Sequence, residues 1–375
     1  MPHLLFLITE DWYFCSHRLP LARAAIADGF RVTVVTRVLR HGDEIRAAGI
    51  ELIPLDLRRR SLDPVKAAGT IVELSRIYRR VRPDIAHHVA LKPVLYGSIA
   101  ARLARVGGVV NAVAGLGYAF SSQDLKARLL RPAIRLAFRT LLNARNARLI
   151  VQNPDDRILL TSRGIVDERR VRLIRGSGVD TTVFVPRPEP AGKPVVMLAS
   201  RLLRDKGVLE FVTAAKQLLS EGTAARFVLV GAPDPENPAS IPPSDLGDLI
   251  GGAVEWWGPR DDMPQVLGHA NIVCLPSYRE GLPKVLLEAA ACGRAIVATD
   301  VPGCREIVVH GENGLLVPAR DSGALAAAIK ALVDDPHRRG MMGARGRRLA
   351  EEQFSVERIT RETISLYHEL LQSCA

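Results

Sequence analysis

Short apolar runs rich in β-branched residues alternate along this chain with longer stretches whose apolar positions recur at helical spacing. In the first half, the runs at 4–9, 32–36, 51–54, 84–89, 109–113 and 148–152 read as strands. In the second half, 195–199, 226–230, 254–257, 272–276, 295–299 and 314–317 do the same. Helical patterns lie between them at 19–28, 65–80, 96–105, 208–220 and 284–291. Strands that are apolar throughout, separated by helices, predict parallel sheets covered on both faces. Two successive sets predict an α/β chain of two doubly wound, Rossmann-like domains.

The stretch 175–194 is rich in Pro and Gly and separates the two sets, giving expected domains at 1–185 and 186–354. Residues 355–375 read as an amphipathic helix, with Val356, Ile359, Ile364, Tyr367, Leu370 and Leu371 needing an apolar surface to cover. A two-domain chain of this kind is expected to hold its ligand in the cleft between domains.

Composition removes several classes. With 375 residues, 24% charged and 47% hydrophobic, the chain is neither disordered nor fibrous. No uninterrupted apolar run reaches the length of a membrane span. Met1–Ile8 lacks a basic flank and reads as a first strand, not a secretory signal. Five cysteines without a C-x-x-C pair point to a reduced, cytoplasmic protein with no cysteine metal cluster.

Charge changes the picture more. Residues 1–185 carry 30 Lys+Arg against 16 Asp+Glu, a net of +14, whereas 186–375 carry 21 against 24, a net of −3. The first half therefore expects a polyanion or an anionic membrane surface as partner. Within it, 124–148 has seven basic residues against one Asp, interleaved with Leu125, Leu129, Leu130, Ile134, Leu136, Phe138, Leu141 and Leu142. A basic amphipathic helix reads as a surface for anionic lipid headgroups. Nucleic acid is the rival polyanion, but no zinc pattern, RNP-like aromatic run or helix-turn-helix accompanies the charge.

Two loops carry candidate chemistry. Arg201 and Lys206-Gly207 follow the strand 195–199, where open α/β sheets bind ligands. An Arg fork and a Lys point charge suit a diphosphate, although a solvated basic turn has the same composition. In 276–293, Pro283 and Gly293 bracket a helix, so the loop Glu280-Gly281-Leu282 offers free amides at a positive helix end. Glu280 and Glu288 are eight positions apart and could hydrogen-bond hydroxyls at opposite ends of one extended ligand. Glu288, in an apolar run, could equally cap a buried donor.

These residues resemble a known family. Arg201…Lys206-Gly207, the Glu280-x₇-Glu288 pair within Glu-Gly-Leu-Pro-Lys-Val-Leu-Leu-Glu, Gly178-Val-Asp…Phe184-x-Pro186 and Gly311-Glu-Asn-Gly are similar to the donor site of retaining glycosyltransferases of family 4. The resemblance implies the GT-B architecture: two facing Rossmann-like domains, with the C-terminal helix crossing back to the first. It implies that Arg201 and Lys206 bind the donor diphosphate, and that Glu280 with the amides of Gly281 and Leu282 holds the transferred sugar. Glu288 would bind the ribose, with Gly231, Trp257 and Arg260 around the base. No metal or other cofactor is expected, since the two cations stabilise the departing nucleotide and no Asp-x-Asp cluster argues otherwise.

In the first half, Tyr13-Phe-x-x-His17-Arg18, His87-His88-x-x-x-Lys92-Pro93-x-x-Tyr96-Gly97 and Gly117-Tyr118-x-Phe120 resemble a bacterial branch of that family acting on undecaprenyl-diphosphate-linked sugars, N-acetylgalactosaminyltransferases among them. By that resemblance His17, Arg18 and Lys92, in loops at one sheet edge, would face the acceptor diphosphate. His87, His88, Gly117 and Tyr118 would lie nearby. The expected activity is retaining transfer of a sugar, an N-acetylhexosamine by the resemblance, from a UDP-sugar to a polyprenyl-diphosphate-linked saccharide. It would take place peripherally at the inner face of the cytoplasmic membrane. A GT-B epimerase or phosphorylase, or a lipid- or nucleic-acid-binding module without catalysis, are the alternatives. A nicotinamide dehydrogenase is not among them, because Thr9–Arg18 after the first strand contains no glycine.

Overall fold

Strand β1 (His3–Glu10) is buried along its whole length, as a central parallel strand must be. The computed structural model describes residues 1–58, 63–113 and 136–374. β1 pairs with β2 (Arg31–Arg37) on one side and β4 (Ile85–Val89) on the other. β3 (Glu51–Pro54), β5 (Gly108–Ala112), β6 (Ala147–Val151) and β7 (Val171–Leu173) complete a parallel sheet in the order β3-β2-β1-β4-β5-β6-β7. Side chains alternate between its faces: Leu4, Phe6 and Ile8 enter one core, Leu5 and Leu7 the other.

The second sheet contains β8 (Val195–Ala199), β9 (Arg226–Val230), β10 (Glu255–Trp256), β11 (Ile272–Leu275), β12 (Ala295–Thr299) and β13 (Gly314–Val317). Its order is β10-β9-β8-β11-β12-β13. It too has cores on both faces, Val195 and Met197 lying in one, Val196 and Leu198 in the other.

The chain thus forms two doubly wound α/β units, Met1–Ser177 with Val356–Ala375, and Gly178–Ser355. The division falls ahead of the expected boundary at 185 because Val179 and Phe184 bury in the second core. The helix Val356–Cys374 counts with the first unit, where Ile359, Leu366, Tyr367 and Leu370 join the core beneath β1.

Three elements differ from the sequence expectation. The stretch after β1 is a helix, Asp11–His17; Oδ2 of its first residue, Asp11, accepts the backbone N–H groups of Leu39, Arg40 and His41, just ahead of the helix Gly42–Ala47. The helix expected from Tyr96 starts at Leu91, since Pro93 is tolerated in a first turn. A long helix, Pro336–Gln353, has little apolar character; its buried stripe is Arg339, Met342, Gly343, Gly346, Leu349 and Ala350. Arg339 is buried there on Glu189, 2.8 Å away.

Among the described residues no helix is long and apolar enough to cross a membrane. In the basic segment 124–148, residues 124–135 lie outside the described residues. Beyond them, Phe138 and Leu142 bury in a core and Arg148 is a strand residue paired with Glu369 at 3.0 Å. That corrects the expectation of one lipid-facing helix over the whole segment. Leu136, Arg139 and Arg145 remain exposed.

Candidate active site

In the second sheet the winding reverses between β8 and β11, and loops leaving such a switch point part to form a crevice. Arg201 follows β8 and Glu280 follows β11. Between them Gly207, at φ +72, ends the turn Arg204–Lys206; a Cβ there would come 2.1 Å from the carbonyl oxygen of Pro276. Only glycine allows that approach, and it brings Lys206 Nζ to 2.5 Å from Glu280 Oε1. The N–H of Tyr278 donates to Asp205 O at 2.9 Å and fastens the two loops further.

The loop 280–283 precedes the helix Lys284–Ala291, so its amides stand at the positive end of that helix. Gly303, at φ +82, packs directly on the carbonyls of Glu280 and Gly281. Leu282 packs on the neighbouring core. Glu288 lies one turn into the helix, buried, with Oε1 3.1 Å from Lys284 Nζ. Burial holds its carboxyl above the usual carboxylate range, and Lys284 offsets this only in part. Such a group is poised to hydrogen-bond a hydroxyl.

Arg201 points to Asp234, Nη1 to Oδ2 2.7 Å. Gly231, at φ +129, would place a Cβ 1.9 Å from Ser200 O, so β9 and β8 end in contact. Trp257, expected in the base pocket, and its neighbour Trp256 differ in their surroundings. Trp257 packs partly on the core and edge-on to His269. Trp256 is exposed and donates its indole N–H to Gly231 O at 2.9 Å. Arg260 pairs with Asp262 at 2.5 Å. Asp234, Lys284 and the pair Tyr278–Glu210 (2.6 Å) were not singled out from the sequence.

In the first sheet the winding reverses between β1 and β4. His17 ends the helix after β1, stacked on Tyr13 with ring centroids 4.1 Å apart, and Arg18 follows it, buried. Lys92 belongs to the helix after β4 and donates to Arg58 O at 2.6 Å, beside a cavity of about 210 Å³ also lined by Asp56, Lys66 and Tyr96. These positions are helical or buried, not the open loops expected. Gly117 and Tyr118 lie outside the described residues.

The two strand histidines face opposite sides of the sheet. His88 donates from Nδ1 to Asn111 Oδ1 at 2.9 Å and accepts from Tyr78 OH at 3.1 Å; burial lowers its pKa to about 4. Both its nitrogens are occupied in a closed core, which corrects its reading as an active-site residue. His87 has Nδ1 2.6 Å from Tyr367 OH, while its buried Nε2 has no hydrogen-bond partner among the described residues. Burial first and the nearby Arg18 charge second keep it neutral.

Residues 3–153 match the family model described as Glycosyl transferase 4-like, and residues 193–335 that described as Glycosyl transferases group 1. The chain belongs to these glycosyltransferase families. It is 29% identical over 331 residues to the N,N'-diacetylbacillosaminyl-diphospho-undecaprenol alpha-1,3-N-acetylgalactosaminyltransferase of Campylobacter jejuni, covering 85% of this chain and 86% of that protein. It is 26% identical to the UDP-Gal:alpha-D-GlcNAc-diphosphoundecaprenol alpha-1,3-galactosyltransferase of Escherichia coli, over 74% of this chain and 73% of that one. Among solved structures, Anabaena HepE in complex with UDP-glucose superposes with a TM-score of 0.80 at 20% identity, over 98% of this chain and 100% of that one. WaaG, a glycosyltransferase involved in lipopolysaccharide biosynthesis, gives 0.74 at 15%, over 97% and 99%. The fold of this glycosyltransferase is therefore GT-B.

One group of metal-type ligands converges among the described residues of the glycosyltransferase. The ligand atoms of Cys15, His41 and Glu44 lie within 4.8 Å of one another. The group belongs to the first unit.

Proposed function

We propose that this glycosyltransferase moves a sugar, an N-acetylhexosamine, from a UDP-sugar to a polyprenyl-diphosphate-linked saccharide, with retention at the anomeric carbon and without a metal. The observation that carries the reading is the contact of Lys206 with Glu280 at the switch point of the second sheet, with Arg201 on the same loop after β8, paired with Asp234. The names of the two relatives, both acting on diphospho-undecaprenol-linked sugars, support the acceptor class.

In this reading Arg201 and Lys206 hold the donor diphosphate and stabilise the negative charge that develops as the nucleotide leaves. Glu280 and the amides of Gly281 and Leu282 bind the transferred sugar. Glu288 takes the ribose, and Gly231, Trp257 and Arg260 surround the base. The acceptor hydroxyl oxygen bonds to the anomeric carbon as the bond to the diphosphate oxygen breaks on the same face. The hydroxyl proton passes to that leaving oxygen. Arg18, His17 and Lys92 hold the acceptor diphosphate, with His87 near it. The basic first unit sits peripherally on the anionic inner face of the cytoplasmic membrane, through the segment 124–148, of which Leu136, Arg139 and Arg145 are exposed. Nucleic acid is not a partner.

Purified protein incubated with a panel of UDP-sugars and polyprenyl-diphosphate sugars tests this. Nucleotide release that requires both substrates is expected. Release without any acceptor points instead to an epimerase of the same fold. No release with any pair, while Arg201→Ala leaves UDP binding unchanged, overturns the assignment.

A further inference from the structure

The two cations assigned to the diphosphate are both engaged in the ligand-free chain, Lys206 by Glu280 and Arg201 by Asp234. The second engagement is built in by the backbone. Leu202 N–H donates to Ala232 O at 2.9 Å, Ile241 N–H to Leu202 O at 3.0 Å and Arg204 N–H to Ala239 O at 2.8 Å. These bonds tie the loop 231–241 to the loop of Arg201. Within the loop, Asp234 N–H donates to Ser240 Oγ at 2.9 Å, and Asp234 Oδ1 accepts from Glu236 N–H at 3.2 Å. The side chain of Asp234 is 10% exposed and that of Arg201 42%. The carboxylate is thus the fixed partner and the guanidinium the movable one.

We propose that Asp234 is the resting counter-ion of Arg201, a positioning residue that competes with the nucleotide diphosphate for the guanidinium. The inference rests on the donor reading of Arg201 above. An entering diphosphate must draw the Arg fork away from Asp234 and approach a buried carboxylate of like charge, so Asp234 weakens nucleotide binding. After transfer it retakes Arg201 and speeds departure of the nucleoside diphosphate, a step that limits turnover in many enzymes. Affinity is thereby exchanged for release.

Asp234→Asn keeps the size of the side chain and an oxygen for the Glu236 N–H, and removes the charge. Calorimetry with UDP, or with whichever nucleoside diphosphate binds in a panel, reads affinity; stopped-flow displacement reads release. Asp234→Asn should bind about three- to fivefold tighter, the size of a partly exposed ion pair, and release correspondingly more slowly. In Arg201→Ala the same Asp234→Asn change should tighten binding clearly less, since only the like-charge repulsion is then relieved. Unchanged or weaker binding by Asp234→Asn, while Arg201→Ala alone loses affinity, overturns the counter-ion role and leaves the donor reading standing. If Arg201→Ala binds as tightly as the parent, the donor reading of Arg201 fails and takes this inference with it. Unaltered melting of each variant shows that the differences are not unfolding.

Discussion

Lys206 Nζ and Glu280 Oε1 lie 2.5 Å apart across two loops that the chain separates by more than seventy residues. Both side chains are largely shielded, at 20% and 10% exposure. The pair exists because Gly207 has no Cβ to strike Pro276. Removing either partner leaves the other charge half-buried and alone, a larger loss than the net worth of the pair.

The two residues should therefore fail as a unit. Lys206→Ala is expected to lower turnover about 100-fold or more, as loss of a group that stabilises developing charge does. Glu280→Ala should do likewise, but the double variant should lose much less than the product of the two. A double-mutant cycle on kcat/KM with a coupling of about 1 kcal/mol or more fits direct contact. Additive losses would separate their roles.

Glu288 gives a pH-dependent test. Its folded carboxyl is raised above the ordinary 4.5 by burial, so the folded chain holds this proton more tightly than the unfolded one. Stability from this group is complete below about pH 4.5, falls as pH climbs toward the raised folded value, and stays lower above it. Glu288→Gln should therefore melt higher than the parent at pH 7, with the gap closing as pH falls to the ordinary carboxylate range. Nucleotide-sugar binding should weaken in the same variant. A gap that widens toward low pH would reverse the sign argued here.

Much of this fold was legible in the apolar runs. β3, β8, β9, β12 and β13, with the helices Val208–Ser220 and Lys284–Ala291, fall where periodicity puts them, and β8, buried on both faces, is apolar throughout. Asp11–His17 was not, since its residue types are as common in loops. Neither was Pro336–Gln353, whose buried stripe includes an arginine and two glycines. Lys206 and Glu280 could be named from composition and spacing, but Asp234 and Lys284 depend on contacts that form only when loops meet. Arg201 and Asp234 are 33 positions apart, and nothing local marks them as partners.

The motif ending at Gly97 illustrates the same limit from the other side. A Cβ on Gly97 would lie 2.6 Å from the ring of His88 and 2.8 Å from Leu7. The spacing of His88 and Gly97 is thus a packing requirement. Gly97→Ala should destabilise by about 1–3 kcal/mol, as overpacking of a closed core does. Adding His88→Ala should recover part of that loss. Thermal melting of the four species decides it; a double variant less stable than the sum of the singles would rule out a shared contact.

Arg18 supplies the sharpest test of the acceptor side. It is 4% exposed, its Nε has no hydrogen-bond partner, and no carboxylate pairs with it among the described residues. A buried guanidinium in that condition costs stability unless an anion arrives, and the acceptor diphosphate is the anion proposed. Arg18→Met keeps the length and removes the charge, so the empty protein should become more stable, by about 1 kcal/mol or more. The same variant should raise KM for the polyprenyl-diphosphate acceptor while leaving UDP affinity unchanged, because Arg18 and the donor loops belong to different units. Lower melting with an unchanged acceptor KM would make Arg18 a scaffold residue and remove it from the acceptor site.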